Sequence, residues 1–302
     1  MREACARMIP FPGALPLFRP PAEADSFILR VAEGCPHNAC AFCGMYRGVR
    51  YRERGADEIR RDIAREARRA PGTARVFLAD GDAMRLPFAE LRGVLSDLAA
   101  AFPRLARVNA YANGRSIAAK SDAELRALRA ARLHTLYMGL ESGDDAILRA
   151  MGKAETAGEM IEAARRAAAA GLKMSVMVLL GLGGREGRRA HALATAAALN
   201  AMQPPLLSAL RAIPVPGTPL ARRVASGSFR PLSEREAVLE LRDLLDALRL
   251  ERTVFRANHA SNVMPLEGRL PRDREALRAA LDARLEDGGL DADGPGPAPL
   301  WL

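Results

Sequence analysis

The chain is poor in lysine, cysteine, histidine and aromatic residues, and each shortage narrows what it can be. Only Lys120, Lys153 and Lys173 stand among its 45 basic residues, so the net charge of +9 is carried almost wholly by arginine. The arginines alternate with acids at helical spacing, as in Glu58, Arg61, Asp62, Arg65 and Glu66, which is the pattern of a solvated helix face. With 5% aromatics and no basic cluster interleaved with rings, nucleic acid is a poor fit as a partner. A basic surface is explained more simply by an acidic electron-donor protein. The longest apolar run, Met174 to Leu182, falls far short of the roughly 20 residues that span a bilayer, so no membrane segment is expected. The run from Met8 to Phe18 is broken by Pro10, Pro12 and Pro16, which does not suit the helical core of a signal peptide. The expected location is cytoplasmic.

Cysteine is the most informative scarcity. The 302 residues hold four, and three of them, Cys35, Cys40 and Cys43, lie within nine residues of one another. Four thiolates complete a zinc shell or an electron-transfer iron-sulfur centre, whereas three from one loop leave one iron of a [4Fe-4S] cube without a protein ligand. An open iron can bind a substrate. A structural zinc would have to recruit His37 or Cys5 as its fourth ligand, and inert core packing would have to explain three thiols beside Gly34 and Pro36; both are weaker readings. Reducing conditions suit thiols that await iron. With only four histidines and no Cys-His spacing elsewhere, a second metal site is not indicated.

Apolar strand-like runs alternate with amphipathic helical runs, the signature of βα units around a parallel sheet. Strands are expected near 26–31, 75–79, 107–112, 134–140, 173–180 and 206–213. Helices are expected near 56–70, 88–102, 122–132, 144–170 (broken near Gly152) and 187–202, with apolar residues three and four apart, as at Leu91, Leu95 and Leu98. Beyond the turn Pro216-Gly217-Thr218-Pro219 come a helix near 233–249, a strand near 252–256 and a helix near 271–285, and the stretch from Asp287 to Pro299 reads as a disordered tail. In such architectures functional groups gather at the carboxyl ends of the strands. Here these ends carry the cysteine loop, Asp80-Gly81-Asp82, Tyr111-Ala112-Asn113-Gly114, Glu141-Ser142-Gly143, Gly181-Leu182-Gly183-Gly184 and Pro214-Val215-Pro216-Gly217. A further polar cluster, Arg256 to Asn262, reads either as a substrate-facing loop or as turn and capping chemistry. His134 and His191 read as surface residues.

The cysteine loop, with Phe42 directly before its last cysteine, resembles the radical S-adenosylmethionine (SAM) superfamily. The usual signature has three residues between the first two cysteines, and this chain has four; the second gap matches. The resemblance, over about residues 26–220, implies an α/β fold, a partial (β/α)6 TIM-like barrel with a C-terminal helical and strand cap. It divides the chain into an arm at 1–25, a core at 26–220, a cap at 221–286 and a flexible tail at 287–302. It implies a [4Fe-4S] cluster on Cys35, Cys40 and Cys43, with SAM on the open iron. Asp80, Gly81 and Asp82 are similar to the Gly-Gly-Glu element that meets the SAM amino group, and Asn113 follows on the next strand. Glu141 and Ser142 are similar to a ribose-binding pair, and Lys153 to a basic residue that pairs with the SAM carboxylate. Gly181 opens a Gly-rich element along adenine, against which Phe42 would stack. The strand-four and strand-five motifs look most like the coproporphyrinogen dehydrogenase and elongator-type branch. The activity implied is reductive SAM cleavage and hydrogen abstraction from a small-molecule substrate, with a flavodoxin or ferredoxin as electron donor. A non-catalytic iron-sulfur carrier or sensor, and an RNA-modifying enzyme of the same chemistry, are the alternatives. Methylthiotransferase and cobalamin-dependent readings find no extra cysteine cluster or domain to support them.

Overall fold

The computed structural model describes residues 17–296. Ten strands and ten helices follow in chain order: β1 (Phe27–Arg30), β2 (Ala32–Glu33), β3 (Arg52–Glu53), α1 (Ala56–Arg69), β4 (Arg75–Ala79), α2 (Phe88–Ala101), β5 (Arg107–Tyr111), α3 (Gly114–Ala118), α4 (Asp122–Ala130) and β6 (Leu133–Glu141). Then come α5 (Asp145–Ala150), α6 (Ala157–Ala169), β7 (Lys173–Leu180), α7 (Gly184–Met202), β8 (Leu206–Arg211), α8 (Pro219–Ala225), α9 (Glu234–Ala247), β9 (Thr253–Arg256), β10 (Glu267–Leu270) and α10 (Arg274–Glu286). Eight strands form one sheet in the order β1-β4-β5-β6-β7-β8-β9-β10, parallel throughout except where β10 runs antiparallel to β9. No pairing among the described residues joins β10 to β1, so the barrel is open. The six expected βα units are present. The C-terminal cap adds β9 and β10 to this same sheet and does not form a layer of its own.

The alternation along each strand sets the layers, because successive side chains point to opposite faces. Leu29, Val76, Leu78, Leu136, Val176 and Leu207 lie in one large core beneath the helices. The other face gathers Phe77, Ala79 and Tyr137 with Ile28, Tyr111 and Met177. The rings of Phe77 and Tyr111 meet edge to face at 4.8 Å, and those of Phe77 and Tyr137 at 5.5 Å. At the N-terminal end of these strands Glu23, 2% exposed, accepts hydrogen bonds from Asn109 (2.7 Å), Tyr137 (2.7 Å) and Ser26 (2.6 Å). Three donors compensate the burial of this carboxylate. That part of the stretch read as an arm is therefore built into the body.

Helix starts follow local chemistry. Ser121, Thr156 and Ser233 each accept from the backbone three residues on, while Glu124, Glu159 and Glu236 reach back, completing capping boxes for α4, α6 and α9. The long helix expected over 144–170 breaks where the sequence placed the break: Gly152 is left-handed (φ 69°) after α5. Its N–H donates to Arg149 and that of Lys153 to Leu148, the paired bonds of a Schellman closure. The stretch 287–296, expected to be disordered, is held to the body instead. Arg235 N–H donates to the Asp291 carbonyl, and Arg211 and Arg185 donate to the carbonyls of Pro295 and Asp293. Backbone capture by arginine supplies the order that composition alone denied. Pro297 to Pro299 lie outside the described residues.

Candidate iron-sulfur and SAM site

The cysteine loop leaves the sheet just after β1. Its ends are tied together by the short β2–β3 ladder, by Arg54 N–H donating to Val31, and by the Arg52–Glu33 ion pair at 2.6 Å. Inside the loop, Arg47 donates to the carbonyls of Cys43 and Cys40, both at 3.0 Å. Within the first gap Asn38 is left-handed (φ 41°) and donates to the carbonyls of Tyr46 (2.8 Å) and Val49 (3.3 Å). Asn tolerates that conformation better than most residues. The loop also hangs from neighbouring elements: Ala41 N–H donates to Met151 (2.7 Å), Leu220 N–H donates to Ala41 (3.0 Å), and His37 Nε2 lies 2.6 Å from the Gly152 carbonyl.

Three observations bear on an iron-sulfur cluster. Cys35, Cys40 and Cys43 are free and partly accessible. Burial pushes the Cys40 thiol up to about 12 and raises Cys43 as well, so in the bare protein these groups stay protonated; bound metal is what converts such thiols to ligands. Space has also been kept beside the loop. A Cβ on Gly81 would stand 2.7 Å from Cys35 Cα and 2.9 Å from its Sγ, so only glycine lets the β4 end approach the first cysteine. Gly81 N–H in turn donates to Gly34 at 2.9 Å. These residues fit the cluster.

Beside the loop lie the ends of β4 and β6, and at each a non-glycine residue is left-handed: Asp80 (φ 74°) and Glu141 (φ 64°). Local backbone cost of this kind persists where the surroundings impose it, and it is common at functional sites. The β6–β7 register shifts between Gly139 and Glu141, and the Glu141 carboxylate folds back over Gly139, filling the space a Cβ would take there. Lys153, set by the Schellman closure, lies 3.7 Å from Glu141 Oε1 and donates to the Gly139 carbonyl at 2.8 Å. Burial raises the Glu141 carboxyl, with Lys153 opposing. Burial works against the Lys153 charge, but Glu141, Cys40, Glu155 and Cys35 outweigh it and hold the ammonium above its ordinary value. The pair therefore places a cation close enough to the thiols to act on Cys40 and Cys35, with the carboxylate beside it.

The other sequence-derived positions divide. Phe42, Gly81 and Asn113 are partly accessible, as are Glu141 and Lys153. Asp82 and Ser142 are buried and already occupied. Asp82 accepts from Ser116 Oγ (2.8 Å), Asn113 Nδ2 (3.1 Å) and Asn113 N–H (3.3 Å), so its carboxylate braces the β5–α3 loop. Ser142 Oγ accepts from Asp144 N–H at 3.0 Å and shapes the turn after β6. Asp80 is paired with Arg30 at 3.2 Å, and burial lifts its carboxyl to about 6 against that cation and the Tyr46 hydroxyl. Gly181 is left-handed (φ 89°) and buried at the end of β7, where it opens the turn to α7. Arg30, Tyr46 and Arg47 are site neighbours that sequence reading passed over; the only available signal was their closeness to the cysteines in the chain. In the Arg256–Asn262 cluster, Arg256 and Asn258 are exposed, while His259, Ser261 and Asn262 are engaged within the loop and with β8. Asn262 donates to Ala209 (2.8 Å) and Ala257 (2.9 Å), and His259 Nδ1 lies 2.9 Å from Ser261 Oγ, so turn chemistry accounts for it.

No helix among the described residues is long and apolar enough to cross a membrane. No curated protein sequence matches the chain. Solved structures do. The radical SAM methyltransferase TsrM from Kitasatospora setae, with cobalamin and a [4Fe-4S] cluster bound, superposes with a TM-score of 0.54 at 17% identity, over 67% of this chain and 39% of that one. Coproporphyrinogen III oxidase (HemN) from Escherichia coli, a radical SAM enzyme, gives 0.52 at 16% identity over 73% and 50%. Methylornithine synthase (PylB) gives 0.50 at 18% identity over 88% and 82%. At these identities the likeness is one of fold, and the chain spans about two fifths of TsrM and half of HemN. The family described as Radical SAM superfamily matches residues 29–194, which is more than half of the 302 residues and takes in the cysteine loop and the ends of β4, β5, β6 and β7, and the chain belongs to that superfamily.

Proposed function

We propose that the protein is a radical SAM enzyme in which Cys35, Cys40 and Cys43 hold a [4Fe-4S] cluster and SAM binds across the ends of β4 to β7. The observation that carries this reading is the junction of a three-cysteine loop, fixed at both ends, with the Glu141–Lys153 pair on the same rim of an open parallel sheet. When bound and reduced, the cluster and SAM supply homolytic cleavage of the S–C5′ bond and hydrogen abstraction by the resulting 5′-deoxyadenosyl radical.

The chain's own residues hold and orient. Arg47 and Asn38 fix the backbone that carries the thiols, and Gly81 lets β4 lie against Cys35. Lys153 supplies positive charge beside the cysteines and is placed to meet a carboxylate; as a point charge it lacks the two-pronged geometry of arginine. Glu141 is placed to accept from a ribose diol. Phe42 and the turn from Gly181 would border the adenine, Gly81 and Asp80 the amino end. Asp82, Asn113 and Ser142 act by bracing these loops. The net charge of +9 favours an acidic donor such as a flavodoxin or ferredoxin, and free thiols favour a reducing, cytoplasmic setting. The substrate is a small molecule.

The test is metal analysis followed by titration. Protein reconstituted under anaerobic conditions should contain iron and acid-labile sulfide in equal amounts, about four of each per chain by the cube assignment, and should bind SAM in calorimetry. Zinc in place of iron, or a cluster without SAM binding, would reject the proposal; the second result is the one a carrier or sensor gives.

A further inference from the structure

The turn that begins at Gly181 is not held by the matched family region alone. Gly181 N–H donates at 2.8 Å to Oε1 of Glu240, a residue of α9, and the same oxygen lies 2.9 Å from Nδ1 of His191 on α7. Glu240 is 0% exposed and His191 2%, so this is a buried polar triad at the rim of the sheet, and the expectation of a surface His191 is corrected. Glu240 Oε2 and His191 Nε2 have no partner of their own. A buried carboxylate with an oxygen left unsatisfied is costly, and α9 retains it where leucine would pack. Two further pairs, Arg185–Glu236 at 3.2 Å and Arg188–Asp243 at 2.6 Å, join α7 to α9, but both are partly exposed and neither reaches the turn. Among the described residues Glu240 is the side chain of α9 that bonds the backbone of Gly181, whose left-handed conformation starts the turn.

We infer that Glu240 is a positioning residue for the adenosine end of the site: held by His191, it fixes the Gly181 N–H and makes α9, which lies beyond residue 194, part of the SAM-binding apparatus. The inference rests on the proposed function for the identity of the ligand, but the bond itself can be read without it. Hydrogen exchange in the holoprotein without SAM, followed on peptides covering 179–184, and SAM affinity by calorimetry would be compared in wild type, E240L and E240Q. E240L should exchange about ten-fold faster at this turn and lose about ten-fold in SAM affinity, one lost charged hydrogen bond, with iron content unchanged. E240Q keeps an acceptor oxygen and should remain near wild type in both. Should E240L not fold, H191L, which removes the second donor, should speed exchange in the same peptides. Wild-type exchange in E240L or H191L, or a loss in E240Q equal to that in E240L, would overturn the inference. Wild-type protein that binds no SAM would count against the proposed function and leave the exchange result to decide the role of Glu240.

Discussion

Replacing any one of Cys35, Cys40 and Cys43 by alanine should remove the iron centre, and SAM cleavage with it, while Cys5→Ala should keep both near the wild-type level. Two thiolates leave two irons of a cube exposed to solvent, and the loop offers no substitute, because its nearest polar side chains are already engaged. His37 is against the Gly152 carbonyl, Arg47 holds the carbonyls of Cys40 and Cys43, and Asn38 is turned to Tyr46 and Val49. Iron content and the visible absorption of anaerobically prepared variants are the measurement. Wild-type iron in a single-alanine variant of the loop, or its loss in Cys5→Ala, would contradict the ligand assignment.

Glu141→Ala should keep the full iron content and weaken SAM binding by about 1–3 kcal/mol, roughly 5- to 150-fold in Kd, the range for losing a charged hydrogen-bond partner. The two effects separate because Glu141 is not one of the three thiol residues, and Lys153 also bonds the Gly139 carbonyl independently of the carboxylate. The left-handed backbone at Glu141 is no obstacle to the variant, since wild type already bears that cost with a side chain present. Calorimetry on reconstituted protein decides the matter, and equal affinity in the two proteins would remove Glu141 from the ribose position.

The six core strands were legible because each is a short apolar run closed by Gly, Asp, Asn or Pro, and such runs report burial on both faces. Elements that depend on partners were not. β10, Glu267–Leu270, includes a glycine and has little apolar alternation; it becomes a strand because β9 offers an edge. The turn at Pro216-Gly217 is present, but the helix α8 that follows it was not expected, although Thr218 followed by Pro219 is a helix start, with the hydroxyl accepting from Ala221 N–H.

In the candidate site, the cysteine loop and Glu141 stand out in the sequence as residue types with few other uses beside a strand end, and Lys153 follows the Gly152 break that the sequence also marks. Asp82 and Ser142 show the limit of such placement: position at a strand end does not say whether a side chain turns to the mouth or to its own loop, and neighbouring donors decide that. Glu240 was out of reach for a different reason. It meets Gly181 across 59 residues of sequence, and only the packing of α9 on α7 brings them together.

The central claim is that this loop and this rim together cleave SAM. Anaerobically reconstituted wild-type protein, reduced with dithionite in the presence of SAM and analysed by chromatography, should release 5′-deoxyadenosine and methionine in equal amounts, with none formed when the reductant is withheld. Protein that carries iron and sulfide and binds SAM, yet yields no 5′-deoxyadenosine under reduction, would contradict it.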